Sequence, residues 1–305
     1  MTENATAPRP RPSEDLDAAG PLDPLDALEA PSTFDTAETF ESADGPLAYR
    51  DAGPRGARPL VLLHTGFTDR TQFDVLVPEL ARRHRVIAPD ARGHGASANG
   101  TQPFRQTDDL AALLRHLDLA GPAILVGISM GALIAVDTAL EHPELVRALV
   151  VSGRGIGEPD LTDPWASAVE EAQKNALAAG DIPAWLDAFA QGVAGPSRTL
   201  ADVDPEIVRH VREMALHTLM KHSPNERDLS IPVADVPERA KSEITVPVLA
   251  VNGALDAPGM LATADALIRA VPNGRTVTLD GVAHYTTMEA PEAFTRALEE
   301  FLHEL

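Results

Sequence analysis

The stretch Ala123-Ile124-Leu125-Val126-Gly127-Ile128-Ser129-Met130-Gly131 decides how this chain folds. It begins with an apolar run typical of a buried strand, and a run with helical spacing from Ala132 to Glu141 follows it. The two glycines let the backbone pass closely without side-chain clash, and the strain of a sharp turn exposes the serine hydroxyl. The pattern therefore predicts a strand, a turn that carries Ser129, and a helix. Ser129 is the candidate nucleophile.

Two loops far downstream supply the partners that a serine nucleophile needs. A serine hydroxyl reacts poorly at neutral pH unless a base, itself held by a carboxylate, removes its proton. The buried-strand pattern Val246–Val251 leads into a loop with Asp256, and the pattern Thr276–Leu279 leads into a loop with His284. Open α/β sheets collect functional side chains beyond the C-terminal ends of their strands. We therefore predict Asp256 as the acid and His284 as the base.

Each of these residues also has a purely structural interpretation. Ser129 could be an ordinary turn residue, Asp256 could cap the helix that follows it, and His284 could simply pack within its loop. Asp280 is a rival for the role of the acid. It lies so near His284 in sequence, however, that it reaches around the imidazole with difficulty.

In these motifs the chain resembles the α/β-hydrolases, and among them the large, single-domain, cap-bearing group of esterases, lactonases, C–C bond hydrolases and cofactor-free haloperoxidase-like enzymes. The order serine, aspartate, histidine along the chain is the order of this family. The resemblance implies an α/β fold with a mostly parallel twisted sheet, helices on both faces and a helical cap insertion. It extends over about residues 45 to 302. It rests on four blocks: Leu62–Phe67, Ala88–Gly95, Gly127–Gly131 and the two loops with Asp256 and His284.

The resemblance also implies backbone donors for the oxyanion of an acyl-transfer reaction. One is the N–H of Met130, the residue after the nucleophile. The other lies in the loop that begins at His64, where counting from the histidine selects Gly66 and aligning on the glycine selects Phe67. We favour Gly66, because Thr65 then occupies the position that is usually glycine in the family.

Strand and helix patterns alternate along the chain, which predicts a mostly parallel sheet with helices on both faces. Between residues 154 and 242 no convincing strand occurs, and three helical runs each begin close to a proline. We therefore predict a disordered acidic tail (1–32), a first core segment (33–153), a helical cap (154–242) and a second core segment (243–305). The remaining predicted elements are an opening hairpin (Phe34–Glu41 with Leu47–Arg50), strands at Leu60–His64, Arg85–Ala88 and Ala148–Ser152, and helices at Thr71–Arg83, Thr107–Leu117, Pro164–Ala179, Pro183–Gly192 and Pro205–Lys221.

The composition of the N-terminal segment is the reason for predicting a tail. Residues 1–46 contain 11 acidic residues and 2 arginines and are rich in proline and alanine. Such a segment cannot bury enough apolar surface to order itself. Its scattered leucines could dock on a partner as a transient helix, but a solubilising tail is the simpler interpretation.

The predicted cap holds both tryptophans of the chain and most of the candidate substrate-binding residues. Met214, His217 and either Leu216 or Met220 are predicted to share one helical face. This face could simply pack the cap onto the core. The alternative is that it lines an apolar pocket above Ser129, as insertions over the strand ends often do. The candidate substrate-binding residues are Trp165, Trp185, Phe189, Met214 and His217.

Composition excludes several classes of function. The formal net charge is −21, which argues against nucleic acid and anionic membranes as partners because both would repel the chain. No apolar run approaches the roughly 18 residues of a membrane span, and the N-terminus lacks the apolar region of a secretory signal. The chain has no cysteine, which excludes disulfides and thiolate metal sites and fits a reducing cytoplasm. We predict neither a cofactor nor a metal, and the sequence indicates no oligomeric state.

The sequence therefore predicts a serine hydrolase that cleaves a small carboxylic ester or lactone through an acyl-enzyme. The resemblance leaves C–C bond hydrolysis and perhydrolase or haloperoxidase-like activity open, because they use the same three residues. A non-catalytic ligand-binding relative is a further alternative. A serine at position 129 argues against epoxide hydrolase or haloalkane dehalogenase chemistry, since those relatives place an aspartate at this turn.

Overall fold

The computed structural model describes residues 37–223 and 226–305. The predicted tail (1–32) lies outside these residues, as do the first residues of the predicted hairpin. The hairpin itself is present, with the strand pair β1 (Glu38–Ser42) and β2 (Gly45–Ala52) joined at Asp44.

The described strands form one mostly parallel sheet of eight strands in the order β1-β2-β4-β3-β5-β6-β7-β8. Among the described strands, only the pairs β1–β2 and β2–β4 are antiparallel. The parallel strands share one C-terminal edge, which is where the predicted site residues follow their strands. The remaining strands are β3 (Pro59–Leu63), β4 (Arg85–Pro89), β5 (Ala123–Ile128), β6 (Val146–Ser152), β7 (Val248–Gly253) and β8 (Gly274–Leu279).

Helices cover both faces of the sheet, as the fold prediction required. Alternate residues of the central strands point to opposite faces, so that Leu125 belongs to the hydrophobic core on one face of the sheet and Ile124 and Val126 to the core on the other. No helix within the described ranges is both long and apolar enough to cross a bilayer. The helices are α1 (Val77–Leu80), α2 (Gln106–His116), α3 (Met130–Glu141), α4 (Pro164–Ala179), α5 (Ile182–Ala194), α6 (Pro205–Met220), α7 (Val236–Glu243), α8 (Pro258–Ala270), α9 (Thr286–Glu289) and α10 (Pro291–Leu302).

One predicted helix is wrong. The run Thr71–Arg83 is divided into a 3₁₀ turn at Arg70–Phe73 and the short helix α1. The carboxylate of Asp69 accepts hydrogen bonds from the N–H and the hydroxyl of Thr71 and fixes the turn, which then closes at Asp74. A new helix begins only at Val77, with proline in its first turn, where the missing N–H costs no hydrogen bond.

The segment between β6 and β7 contains α4, α5, α6 and α7. The first three correspond to the predicted helical runs, whereas α7 was not predicted. This extra helix lies against α3, where Arg239 Nη1 donates to Glu141 Oε1 at 2.6 Å. The division into core and cap segments stays a prediction.

The first turn of α3 packs very closely against β3. A Cβ atom at Gly131 would lie 2.0 Å from the carbonyl oxygen of Leu63, the last residue of β3. Backbone cannot yield in the way that a flexible side chain can, so only glycine permits this approach. The contact fixes where the serine turn sits relative to the loop after β3.

We expect Gly131→Ala to lower the free energy of unfolding by about 1 to 3 kcal/mol, because the added methyl group forces strand and helix apart. Denaturant unfolding measures the effect. The matched control is Gly56→Ala, since a Cβ atom there has open space around it and should change stability by less than about 0.5 kcal/mol. Equal stability of both variants would contradict the close packing.

Candidate active site

The Ser129 turn is a strained connection between β5 and α3. Ser129 has φ 53° and ψ −112°, a left-handed conformation that is rare for a residue with a side chain. Its N–H donates to the carbonyl of Ser152 at 2.8 Å, and its carbonyl accepts the N–H of Ala132 at 2.9 Å. The turn is therefore held from the end of β6 and from the first turn of α3, as the G-x-S-x-G pattern predicts.

The structure brings His284 and Asp256 together. Nδ1 of His284 lies 2.8 Å from Oδ2 of Asp256, and the two side chains are only 11% and 4% exposed. The other carboxylate oxygen accepts the N–H of Ala257 at 2.7 Å. Asp280, the rival acid, is exposed to solvent instead. The contact selects Asp256 as the partner of the imidazole.

Gly153 joins this pair to the serine turn. It directly follows Ser152, whose carbonyl binds the N–H of Ser129. A Cβ atom at Gly153 would lie 2.7 Å from Cε1 of His284 and 3.1 Å from Oδ2 of Asp256.

The hydroxyl of Ser129 makes no hydrogen bond with any residue that the structure describes. Hydrogen bonds of this kind often tighten only when a substrate is bound.

The surroundings of His284 favour its protonated form. Burial lowers the pKa of His284, but the charge of Asp256 and its hydrogen bond raise it, with a further upward contribution from Glu289. The charge of Arg154 lowers the pKa, but the net result is a raised pKa of His284. The imidazole is thus suited to accept a proton next to the serine turn.

The three candidate oxyanion donors lie in two neighbouring loops. Met130 is the first residue of α3, and the first N–H groups of a helix have no partner within the helix. A Cβ atom at Gly66 would lie 3.7 Å from the Cβ of Met130, which places the loop after β3 beside the helix start. Phe67 has φ 60°, so the loop turns sharply there.

His64 fixes the loop that carries Gly66. Its Nδ1 donates to the carbonyl of Thr65 at 2.8 Å, and its Nε2 accepts the N–H of Ala91 at 3.0 Å. A single neutral tautomer satisfies both bonds. The ring therefore links the loop after β3 to the loop after β4. The ring of His94 lies 5.2 Å from the ring of His64, at the edge of the same cluster.

The predicted substrate-binding aromatics occupy different environments. Trp185 is fully buried and stacks on Phe189 at 5.1 Å, while its ring edge meets Phe67 at 5.0 Å. Trp185 therefore packs the inserted helices together and meets the loop after β3. Trp165 is half-buried in the first turn of α4. Met214 is buried in a cluster that includes Tyr285, the neighbour of His284.

The predicted face of α6 with Met214, His217 and Met220 is buried only at Met214. Met214 is buried, whereas His217 and Met220 are exposed. At about 100° per residue, Val211 lies at the centre of the buried stripe and Met220 on the opposite side of the helix. The buried residues are Val208, Val211, Met214, Ala215 and Thr218. A role of His217 in substrate binding stays a prediction, without support from this face.

The sequence analysis missed an ion pair near His284. Glu289 accepts the N–H of Ala283, and Arg198 donates to Glu289 at 2.6 Å. They are 91 residues apart in the chain and belong to no recognisable motif. Only an isolated arginine after α5 and an acidic residue at the end of a four-residue helix could have drawn attention to them.

Comparisons with known proteins identify the family of this chain. Residues 60–297 match the model of the alpha/beta hydrolase family. The chain belongs to the α/β-hydrolase family. Members of this family are hydrolases that act on small molecules.

Several known proteins match this chain over most or part of its length. The chain is 27% identical to 3-oxoadipate enol-lactonase 2 of Acinetobacter baylyi over 87% of this chain and 96% of that protein. An AB hydrolase superfamily protein of Gibberella zeae is 38% identical over 38% of this chain, and the match spans 42% of that protein. The esterase RhEst1 of Rhodococcus sp. superimposes with a TM-score of 0.71 at 25% identity, covering 88% of this chain and 99% of that one.

Acid should destabilise the protein through His94. Burial, and then the nearby His64, lower the pKa of His94 from its ordinary 6.5 to about 3. The unfolded chain therefore binds a proton that the folded chain rejects, and stability is lost as the pH falls below 6.5. We expect His94→Gln to remove about 1 to 2 kcal/mol of the loss between pH 6.5 and 5, as measured by denaturant unfolding. The exposed His303 provides the control, since His303→Gln should leave the pH dependence unchanged.

Proposed function

We propose that this chain is a serine hydrolase that cleaves a carboxylic ester or lactone of low polarity through an acyl-enzyme. Ser129 is the nucleophile, His284 the general base and Asp256 the acid that orients the imidazole. The observation that supports this most directly is the 2.8 Å contact between His284 and Asp256 beside the strained serine turn.

The reaction proceeds in two halves. His284 Nε2 takes the proton of Ser129 as Oγ attacks the carbonyl carbon, and Asp256 stabilises the imidazolium through Nδ1. The imidazolium then gives its proton to the leaving alkoxide as the C–O bond breaks, which leaves the acyl group on Ser129. Water, deprotonated by His284, attacks the acyl-enzyme and releases the carboxylic acid while the proton returns to Oγ.

The tetrahedral oxyanion of each half is stabilised by backbone N–H groups. Met130 supplies one donor and the loop after β3 supplies the other, from Gly66 or Phe67. The proximity of Gly66 to Met130 supports Gly66. Such donors cost no reorganisation during the reaction, because the backbone is already held in place by His64 and by the start of α3.

An ester or lactone substrate agrees with the names of the relatives, which include an enol-lactonase and an esterase. The proposal of low polarity is supported by the half-buried rings of Phe67 and Phe189, which contact each other at 5.7 Å between the loop after β3 and α5. A chain-length series of p-nitrophenyl esters beside a panel of lactones identifies the acid and alcohol that are preferred. Turnover of a dienol diketone, or of peroxide with acetate, would instead select C–C hydrolysis or perhydrolysis.

Ser129→Ala should abolish hydrolysis of any ester that the wild type cleaves, because the hydroxyl is needed for covalent chemistry. Loss of a nucleophile of this kind reduces kcat by about 10⁴ to 10⁶. The wild type should also be labelled by a fluorophosphonate probe, and the variant should not. An active Ser129→Ala variant with an unchanged melting temperature would show that another residue is the nucleophile.

Replacement of each candidate aspartate by asparagine shows which of the two orients His284. Asp256→Asn should reduce kcat about 10⁴-fold, because an amide opposite Nδ1 favours the wrong imidazole tautomer. Asp280→Asn is the matched control and should leave kcat almost unchanged, since Asp280 is exposed and does not contact the ring. The reverse order would transfer the role of the acid to Asp280.

A further inference from the structure

A buried carboxylate holds the backbone just before His284. Glu289 ends the short helix α9, and its side chain is only 5% exposed. Its Oε1 accepts the N–H of Ala283 at 3.0 Å. Because Ala283 directly precedes His284, the position of the imidazole depends on where this carboxylate lies.

The carboxylate is held in turn by an arginine from the segment inserted between β6 and β7. Nη2 of Arg198 donates to Oε2 of Glu289 at 2.6 Å, and Nη1 donates to the carbonyl of Gly281 at 3.0 Å. The same guanidinium donates to the carbonyls of Val193 and Ala194 at the end of α5, at 2.9 Å and 3.0 Å. One side chain therefore binds the last turn of α5 and the loop of His284 at the same time.

The glycine at the end of α5 reinforces this connection. A Cβ atom at Gly195 would lie 2.3 Å from the carbonyl oxygen of Leu255 and 3.0 Å from the Cβ of Ala283. These two residues directly precede Asp256 and His284. The loops are also joined to each other, since the N–H of Leu255 donates to the carbonyl of Val282 at 2.8 Å. The end of α5 thus lies against both loops of the acid–base pair.

The charge of Glu289, like its position, acts on His284. The ionisable groups that influence His284 are Asp256 after β7, Arg154 after β6 and Glu289 on α9, with Arg198 facing Glu289 from beyond α5. The charge of Glu289 raises the pKa of His284, whereas Arg154 lowers it. Burial raises the pKa of Glu289 itself, and the hydrogen bond from Arg198 works against that increase.

We propose that Glu289 is a positioning residue for His284, and that Arg198 holds Glu289 in place from the end of α5. The inserted helices then do more than cover the site, because they fix the geometry and the charge of the base. This inference rests on the proposed role of His284, although the link between Glu289 and the imidazole can be measured without any turnover.

The decisive measurement is the titration of the His284 ring by NMR in histidine-labelled protein, with its signal assigned by its loss in His284→Asn. In Glu289→Gln an amide oxygen can still accept the N–H of Ala283, but the charge is gone. The midpoint for His284 should then move measurably to lower pH, because a negative charge near the imidazole has been removed. The acid limb of kcat/KM should move to lower pH by the same amount.

Arg198 is tested through the split between kcat and KM. Arg198→Met should reduce kcat about tenfold to a hundredfold with little change in KM, because a misplaced base slows proton transfer without removing substrate contacts. Arg198→Lys should recover part of kcat, since an amine still reaches Glu289 but cannot bind α5 and Gly281 at once. A purely structural role would show no such recovery at equal stability.

Asp51→Asn is the matched control for the loss of a buried ion pair. Asp51 pairs with Arg85 at 2.7 Å and both side chains are almost completely buried, but the pair joins β2 to β4 and contacts neither loop of the site. The control should lower the melting temperature and leave the His284 midpoint unchanged. If the midpoint is the same in wild type and Glu289→Gln, or moves equally in Asp51→Asn, the inference is overturned. Absence of both ester turnover and fluorophosphonate labelling in the wild type would refute the proposed function alone, because the titration still reports on Glu289.

Discussion

The strained backbone at Ser129 is the constraint on which the site depends. A residue with a side chain enters a left-handed conformation only when its surroundings hold it there. Here the carbonyl of Ser152 binds its N–H, and α3 packs so closely on β3 that position 131 admits only glycine. The backbone of Ser129, the start of α3 and the loop after β3 are therefore fixed relative to one another by backbone contacts. Backbone positions fixed in this way can serve an oxyanion without reorganising.

The loops that carry Asp256 and His284 are held by a second set of contacts, which the sheet alone does not provide. Parallel pairing of β7 with β8 brings the strand ends together, but the loops beyond them would be free to separate. Hydrogen bonds between the loops, the close approach of Gly195 and the ion pair of Arg198 with Glu289 prevent this. The inserted helices thus contribute to the same framework as the sheet.

Several buried carboxylates of this chain are paired with an arginine. The sequence has 46 acidic and 25 basic residues, so many acidic side chains have no basic partner. Such unpaired charges are stable only in contact with water, at the surface. Inside, Arg85 pairs with Asp51, Arg70 with Asp90 and Arg198 with Glu289. Removing one partner of such a pair leaves an uncompensated buried charge, which is strongly destabilising. These pairs consequently fix geometry at the places where loops and strands meet.

The sequence by itself determined the sheet, the serine turn and the choice of Asp256 and His284 as candidates, because these depend on local patterns. Apolar runs form buried strands, a glycine-flanked serine forms a sharp turn, and residues just beyond parallel strands meet at one edge. It failed for Thr71–Arg83, where a 3₁₀ turn ends at Asp74 before α1 begins at Val77. It also did not predict that His217 and Met220 of α6 are exposed to solvent. Only the tertiary structure distinguished Asp256 from Asp280 and joined Arg198 to Glu289. Such contacts depend on distances between residues far apart in the chain, and no local pattern of residues encodes those distances.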